Sequence, residues 1–82
     1  MTHDYNRAIR YYENALREDP KLLDLRTDLA DLYIRLKAFE DSKRVLIEAL
    51  KSLKHFDQND LEIKQKNVHY LLQMARVFLE ED

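Results

Sequence analysis

Three histidines, three spaced aspartates and a set of tyrosines are the side chains here whose types and spacing could do chemistry. His55 precedes Asp57 and Asp60, and an imidazole with two carboxylates is a donor set that suits a divalent cation. Metal ligands carried on helices recur one turn apart, as in the Glu-x-x-His pairs of helical-bundle centres. This chain has no such pair and no cysteine, so His55, Asp57 and Asp60 read as solvated polar groups, and no metal or other cofactor is expected. Histidine is the side-chain type suited to a pH switch, but no second feature of the sequence makes His69 one, and His3 stands apart from both. Asp24, Asp28 and Asp31 share one helical face, either a solvated stripe or a patch that suits basic groups. Tyr5, Tyr11 and Tyr12 would stack on bases only if their spacing were ignored; Tyr5 and Tyr12 fall on an apolar helical stripe, with Tyr11 flanking it. Nucleophilic catalysis has no starting material: there is no cysteine, no glycine for a Gly-x-Ser-x-Gly elbow or a phosphate loop, and no ordered Ser-His-carboxylate set. The chain reads as a non-enzyme, and Glu80-Glu81-Asp82 as a charged end.

Composition narrows the class further. The 82 residues allow one small domain, with one proline, no glycine and no disulfide staple. Apolar residues make up 45% and charged residues 37%, a balance suited to a strongly helical, water-exposed chain. The net charge of −2 is spread evenly: residues 1–20 carry three basic against four acidic side chains, 21–40 and 41–60 four of each, and 61–82 three against four. No stretch forms the basic footprint that nucleic acid or anionic lipid requires. No apolar run approaches a membrane span, and MTHDYNRAIR lacks the apolar core of a signal peptide.

The elements that position these residues are helical throughout. Tyr5, Ala8, Ile9, Tyr12, Ala15 and Leu16 mark a helix over about 4–19, capped by Asp4 or Thr2 and stopped by Pro20. Leu22, Leu25, Leu29, Leu32, Tyr33 and Leu36 mark a second helix, and Lys37-Ala38 a very short turn. A third helix over about 39–54 turns Phe39, Val45, Leu46, Ala49, Leu50 and Leu53 inward. Residues 57–60 read as a loop ending in a cap, followed by a long helix to about residue 80. Its expected inward stripe is Leu61, Val68, Leu71, Leu72, Ala75, Phe78 and Leu79. Connections this short make consecutive helices antiparallel neighbours, so the fold class is all-α.

The chain also repeats itself. A shift of 34 residues pairs Tyr5 with Phe39, Ala8 with Ser42, Tyr12 with Leu46, Ala15 with Ala49 and Leu16 with Leu50. A shift of 45 pairs Leu29-Ala30-x-x-Tyr33 with Met74-Ala75-x-x-Phe78. The eleven-residue difference turns a helix by about 1,100°, roughly 20° past three full turns. It can lengthen a helix without moving its buried face, and residues 60–70 read as that extension. With Ala8, Tyr12, Ala15 and Pro20 in place, DYNRAIRYYENALREDP resembles the second helix of a tetratricopeptide repeat (TPR). TDLADLYIRLKAFEDSKRVLIEAL is similar to most of the next repeat, through Leu29, Ala30, Tyr33, Ser42, Leu46 and Ala49. Arg26 in place of the family's Trp, Ala30 in place of Gly and Lys54 in place of Pro depart from the pattern. The run DLADLYIRLKAFEDSKRVLIEAL with VHYLLQMARVF further resembles the TPR subunits of intraflagellar transport complex A.

The resemblance implies a single TPR-like unit over 1–82: a second helix of one repeat (4–19), a complete repeat (21–54) and the long first helix of the next (58–80). The implied architecture is an antiparallel helix-turn-helix solenoid fragment. Solenoid units bury one face against each neighbour, so Tyr5, Ile9, Tyr12 and Leu16 at one end, and Val77, Phe78 and Leu79 at the other, are expected to seek partners or self-associate. By family position, partner segments lie along the first helices, on Asp24, Thr27, Asp31, Ile34 and Arg35, then His69, Leu72, Arg76 and Leu79. The carboxylate clamp of chaperone-binding TPR domains does not carry over: Asp28, Gln73 and His69 stand where its Asn, Arg and Lys would be, and Asp24, Asp28 and Asp31 would repel a carboxylate. The implied function is a protein-interaction scaffold in a multi-subunit assembly. Its partners would be proteins and neighbouring repeats, not nucleic acid or membrane, and its implied place is the cytoplasm and the cilium. A free-standing adaptor gripping a peptide in its groove is the alternative.

Overall fold

The computed structural model describes residues 4–81; Thr2, His3 and Asp82 lie outside the described residues. Four helices run in order: α1 (Tyr5–Glu18), α2 (Leu23–Arg35), α3 (Phe39–Ser52) and α4 (Leu61–Glu81), with a 3-10 turn at Leu53–His55 between the last two. The described residues contain no strand.

Local chemistry accounts for most boundaries. The Asp4 carboxylate accepts the Arg7 backbone N–H at 3.0 Å, satisfying one of the free donors at the start of α1. Helix α1 stops before Pro20, with Asp19 extended at φ −140°, ψ 93°. The connection to α2 is held by the Arg26 guanidinium, which donates to the Pro20 carbonyl at 3.2 and 3.4 Å. Helix α2 ends in a two-residue turn with Lys37 at φ 60°, a left-handed conformation that glycine would adopt at lower cost. Two bonds compensate: the Ala38 N–H reaches the Tyr33 carbonyl at 2.9 Å, and the Lys37 N–H reaches Ile34 at 3.0 Å, together a Schellman closure. Before α4, the Asp60 carboxylate accepts the Glu62 N–H at 2.9 Å, and the Gln58 amide donates to the carbonyls of Leu53 and Phe56 at 2.6 and 2.8 Å.

Helix α2 packs between α1 and α3, and α4 lies across α3 and α2. Extents of 44 × 32 × 18 Å describe a slab, its thin dimension about two packed helices. The core joins Leu29, Ala30, Tyr33 and Ile34 of α2 to Val45, Leu46 and Ala49 of α3, with Ile63, Tyr70 and Val77 from α4. Helix α2 is covered on both sides, which is why Ala30 and Ile34 are buried as well as Leu29, Leu32 and Tyr33 of its predicted stripe, with Leu25 half-buried. At the ends of that stripe, Leu22 and Leu36 are exposed. Ser42 is fully buried because its hydroxyl returns a hydrogen bond to the Phe39 carbonyl at 2.8 Å. Tyr5 sits at the margin at 36% exposure rather than in the core, while Tyr12 is half-buried against it.

The inward face of α4 differs from the expected one. Ile63, Tyr70, Gln73 and Val77 are buried. Leu61, Val68, Leu71, Leu72, Phe78 and Leu79 are 51–79% exposed, and Ala75 is exposed with them. Val77, expected at an open end, is wholly covered. The helix is apolar on two opposite faces, and the one turned inward carries the hydrogen-bonding groups. Tyr70 Oη donates to the Leu23 carbonyl at 2.8 Å, and Gln73 Nε2 to the Thr27 carbonyl at 3.4 Å. Lys66 on the same side pairs with Asp24. These bonds fix α4 on α2 by the face that an apolar count undervalues.

Candidate functional site

Two kinds of surface remain available: the polar ridge where α2 meets α4, and the apolar face α4 turns outward. The ridge holds most of the residues assigned to partner binding by family position. Asp24 pairs with Lys66 across the two helices. This hydrogen bond raises the Lys66 pKa despite the partial burial that works against it. Asp31 lies 3.4 Å from the Arg35 guanidinium on its own helix and 3.5 Å from Arg76 on α4. Arg76 also reaches Glu80 at 2.9 Å. The Thr27 hydroxyl donates to the Leu23 carbonyl at 3.2 Å. Thr27, Glu62, Gln65, Lys66 and His69 line a shallow depression between the helices.

These pairings change the electrostatic reading of the aspartate stripe. Two of its three carboxylates are already met by Lys66, Arg35 and Arg76, and Asp28 alone has no ion pair among the described residues. The ridge therefore presents alternating charge rather than an acidic strip. Exposed pairs of this kind are worth roughly 0–1 kcal/mol each, so they orient a partner more than they hold it. Ile34 does not belong to the ridge: at 2% exposure it packs in the core and offers a partner nothing. Gln73 is buried too, with its Oε1 lacking a donor among the described residues. Leu72 and His69 are exposed along α4, and Leu79 at 79% is the most open large apolar side chain among the described residues. Lys66 was missed by position matching. It lies one turn before Tyr70 and shares the α2-facing side of α4, a spacing visible in the sequence.

The outward face of α4 has no polar chemistry to perform. Phe78, 54% exposed, has the Lys43 ammonium over its ring, 5.0 Å from the ring centre. Lys43 itself is held by Glu81 at 2.7 Å. A separate cleft is lined by Glu13, Arg17, Arg26, Arg44 and Glu48, and four of these five charges pair within it: Arg44 with Glu13 at 3.7 Å and Arg26 with Glu48 at 3.9 Å. Among the described residues no group of His, Asp and Glu is placed to hold a metal ion, and no helix is long and apolar enough to cross a membrane.

Comparison with known proteins agrees with this helical-repeat geometry. Residues 1–82 match the family described as "Tetratricopeptide repeat protein 21 forth ARM domain". Tetratricopeptide repeat protein 21B of Homo sapiens is 35% identical over 77 residues, which is 94% of this chain and 6% of that protein. The Mus musculus protein of the same name is 45% identical over 49 residues, 60% of this chain and 4% of its own length. The transcription factor tau 131 kDa subunit of Saccharomyces cerevisiae is 37% identical over 51 residues, 62% of this chain and 5% of that protein. The chain thus spans only about a twentieth of these curated relatives. No solved structure gives a significant match. With the family match running from the first residue to the last, the chain belongs to the tetratricopeptide repeat protein 21 ARM-domain family of helical-repeat proteins.

Proposed function

We propose that this chain is a slice of a protein-interaction solenoid that stacks on neighbouring repeats and receives a partner segment along the α2/α4 ridge. The observation that carries this reading is the outward face of α4. Six large apolar side chains there are more than half exposed, on a helix whose opposite face is firmly docked. Monomeric soluble proteins rarely leave such a stripe uncovered. The ridge residues Asp24, Thr27, Asp31, Arg35, His69, Leu72 and Arg76 form the proposed partner surface, without Ile34. Their mixed charge suits a segment carrying both signs better than a purely basic one.

The similarity to tetratricopeptide repeat protein 21B, together with the likeness of DLADLYIRLKAFEDSKRVLIEAL to intraflagellar transport subunits, supports complex A as the assembly and the cytoplasm of the cilium as the place. The helical-repeat family to which the chain belongs supports binding as the role. The test is affinity purification of the tagged protein from ciliated cells. Complex A subunits are expected in the eluate. The pair His69→Glu and Leu72→Lys, both at exposed ridge positions outside the ion pairs, should lower their recovery by roughly tenfold, the loss of one strong contact. Absence of those subunits from the unsubstituted eluate overturns the ciliary assignment, and unchanged recovery with the substituted pair overturns the ridge.

A further inference from the structure

The internal repeat makes a specific statement about what covers α4. In α3, Ser42, Val45, Leu46 and Ala49 are 0–3% exposed because helices lie on both sides. Thirty-four residues earlier in α1 stand Ala8, Tyr11, Tyr12 and Ala15, and none of them is buried. In α2, Leu29, Ala30 and Tyr33 are 0–6% exposed. Forty-five residues later in α4 stand Met74, half-buried, with Ala75 and Phe78 exposed. One end of the slab therefore carries an open version of the α3 surface, and the other end an open version of the α2 surface. Those are the two surfaces that already pack against each other inside the chain.

We infer that the chain self-associates head to tail, with α1 of a second copy covering the outward face of α4 in the way α3 covers α2. Charge supports this occupant. In the chain, Asp31 of α2 lies 3.5 Å from Arg76 of α4. Residue 76 is itself the 45-residue equivalent of residue 31. When α4 takes the place of α2, and α2 of the next copy takes the place of α4, Arg76 therefore faces Asp31 of that copy. The pair re-forms with its signs exchanged, so the ridge continues as alternating charge across the junction. Leu32 of the next copy takes the place of Val77, so an apolar residue again meets the covered side. The small side chains Ala75 and Ala8 fall where Ala30 and Ser42 allow close approach of α2 and α3. Such a contact is heterologous and does not close after two copies unless the rotation makes a ring.

The inference rests on the repeat-stacking proposal but is tested apart from it, by sedimentation of the purified 82-residue chain. The weight-average sedimentation coefficient should rise with concentration beyond the dimer. Ala75→Arg blocks the α4 end and Tyr11→Arg the α1 end; both positions are exposed, so circular dichroism should show unchanged helix content. Each variant alone should lose the concentration dependence. An equimolar mixture should recover a 1:1 dimer, because one variant keeps its α4 end and the other its α1 end. A monomer at all concentrations overturns the inference. So does a Tyr11→Arg variant that still pairs with itself, the signature of symmetric α4-to-α4 contact. Either failure leaves the ciliary purification result standing on its own.

Discussion

Tyr70 shows how one side chain ties the last helix to α2. The ring is fully buried, and its hydroxyl donates across the interface to the Leu23 carbonyl. Burial raises its pKa above the ordinary 10.0, because the phenolate would lose its hydration. A folded-state pKa above the unfolded value means the stabilisation is complete below about pH 10 and is lost as pH rises through the folded pKa. Tyr33 is raised in the same direction, first by burial and then by Glu13 and Asp41. Lys66 is raised by its bond to Asp24. The wild-type chain should therefore lose thermal stability steadily above about pH 10. Tyr70→Phe should lower stability at neutral pH by roughly 1–3 kcal/mol, through the lost bond, and flatten the alkaline decline. Melting curves from neutral to strongly alkaline pH decide the matter; equal alkaline slopes in the two proteins would mean that Tyr70 does not titrate against the fold.

Helix α4 is where sequence periodicity and structure part, and the reason is physical. Two faces of the helix are apolar, and the leucine-rich one holds more apolar side chains. The covered face holds Ile63, Tyr70, Gln73 and Val77, and two of these are polar groups that need partners on α2. A count of apolar side chains selects the wrong face, whereas the need to satisfy hydrogen bonds in the interior selects the right one. Helix α3 posed no such choice, since its expected residues lie on a single stripe: Val45, Leu46 and Ala49 are buried, Phe39 and Leu50 half-buried, and Leu53, in the 3-10 turn that follows, is buried. The cap at Asp4, the stop before Pro20 and the turn at Lys37-Ala38 were likewise legible, because each depends on neighbours along the chain. The ridge was legible only in part: Asp24, Asp31 and Arg76 were placed by family position, but their ion pairs depend on how α4 rotates about its axis. Paired substitutions measure that rotation. Val77→Ala, on the covered side, should cost about 2 kcal/mol. Leu71→Lys, on the open side, should stay within about 0.5 kcal/mol when denaturation is followed at low micromolar concentration, where copies do not stack. Reversed magnitudes would turn the helix over.

At the scale of the whole molecule, stability should be uneven from one edge of the slab to the other. Helices α2 and α3 contribute the fully buried side chains Leu29, Ala30, Leu46 and Ala49, while α1 contributes none. Helix α1 rests on the core through Ile9, Tyr12 and Leu16, each only half-buried, with an ion pair from Glu13 to Arg44 at 3.7 Å. A segment with few buried apolar groups opens at a lower free energy than the global one, in a unit that follows the secondary structure. Helix α4 is anchored at three heights by Ile63, Tyr70 and Val77, so it should remain docked when α1 opens. Native-state hydrogen exchange of the dilute chain should show α1 amides opening roughly 1–2 kcal/mol below those of α2 and α3, with α4 amides between. Uniform protection across all four helices would mean that the edge helix is no weaker than the centre, and that the half-open positions on α1 carry no energetic consequence. Raising the protein concentration adds the discriminating observation. If a second copy covers α1, its amides should slow toward those of α3 as the stack forms, while the already buried amides of α2 stay where they were.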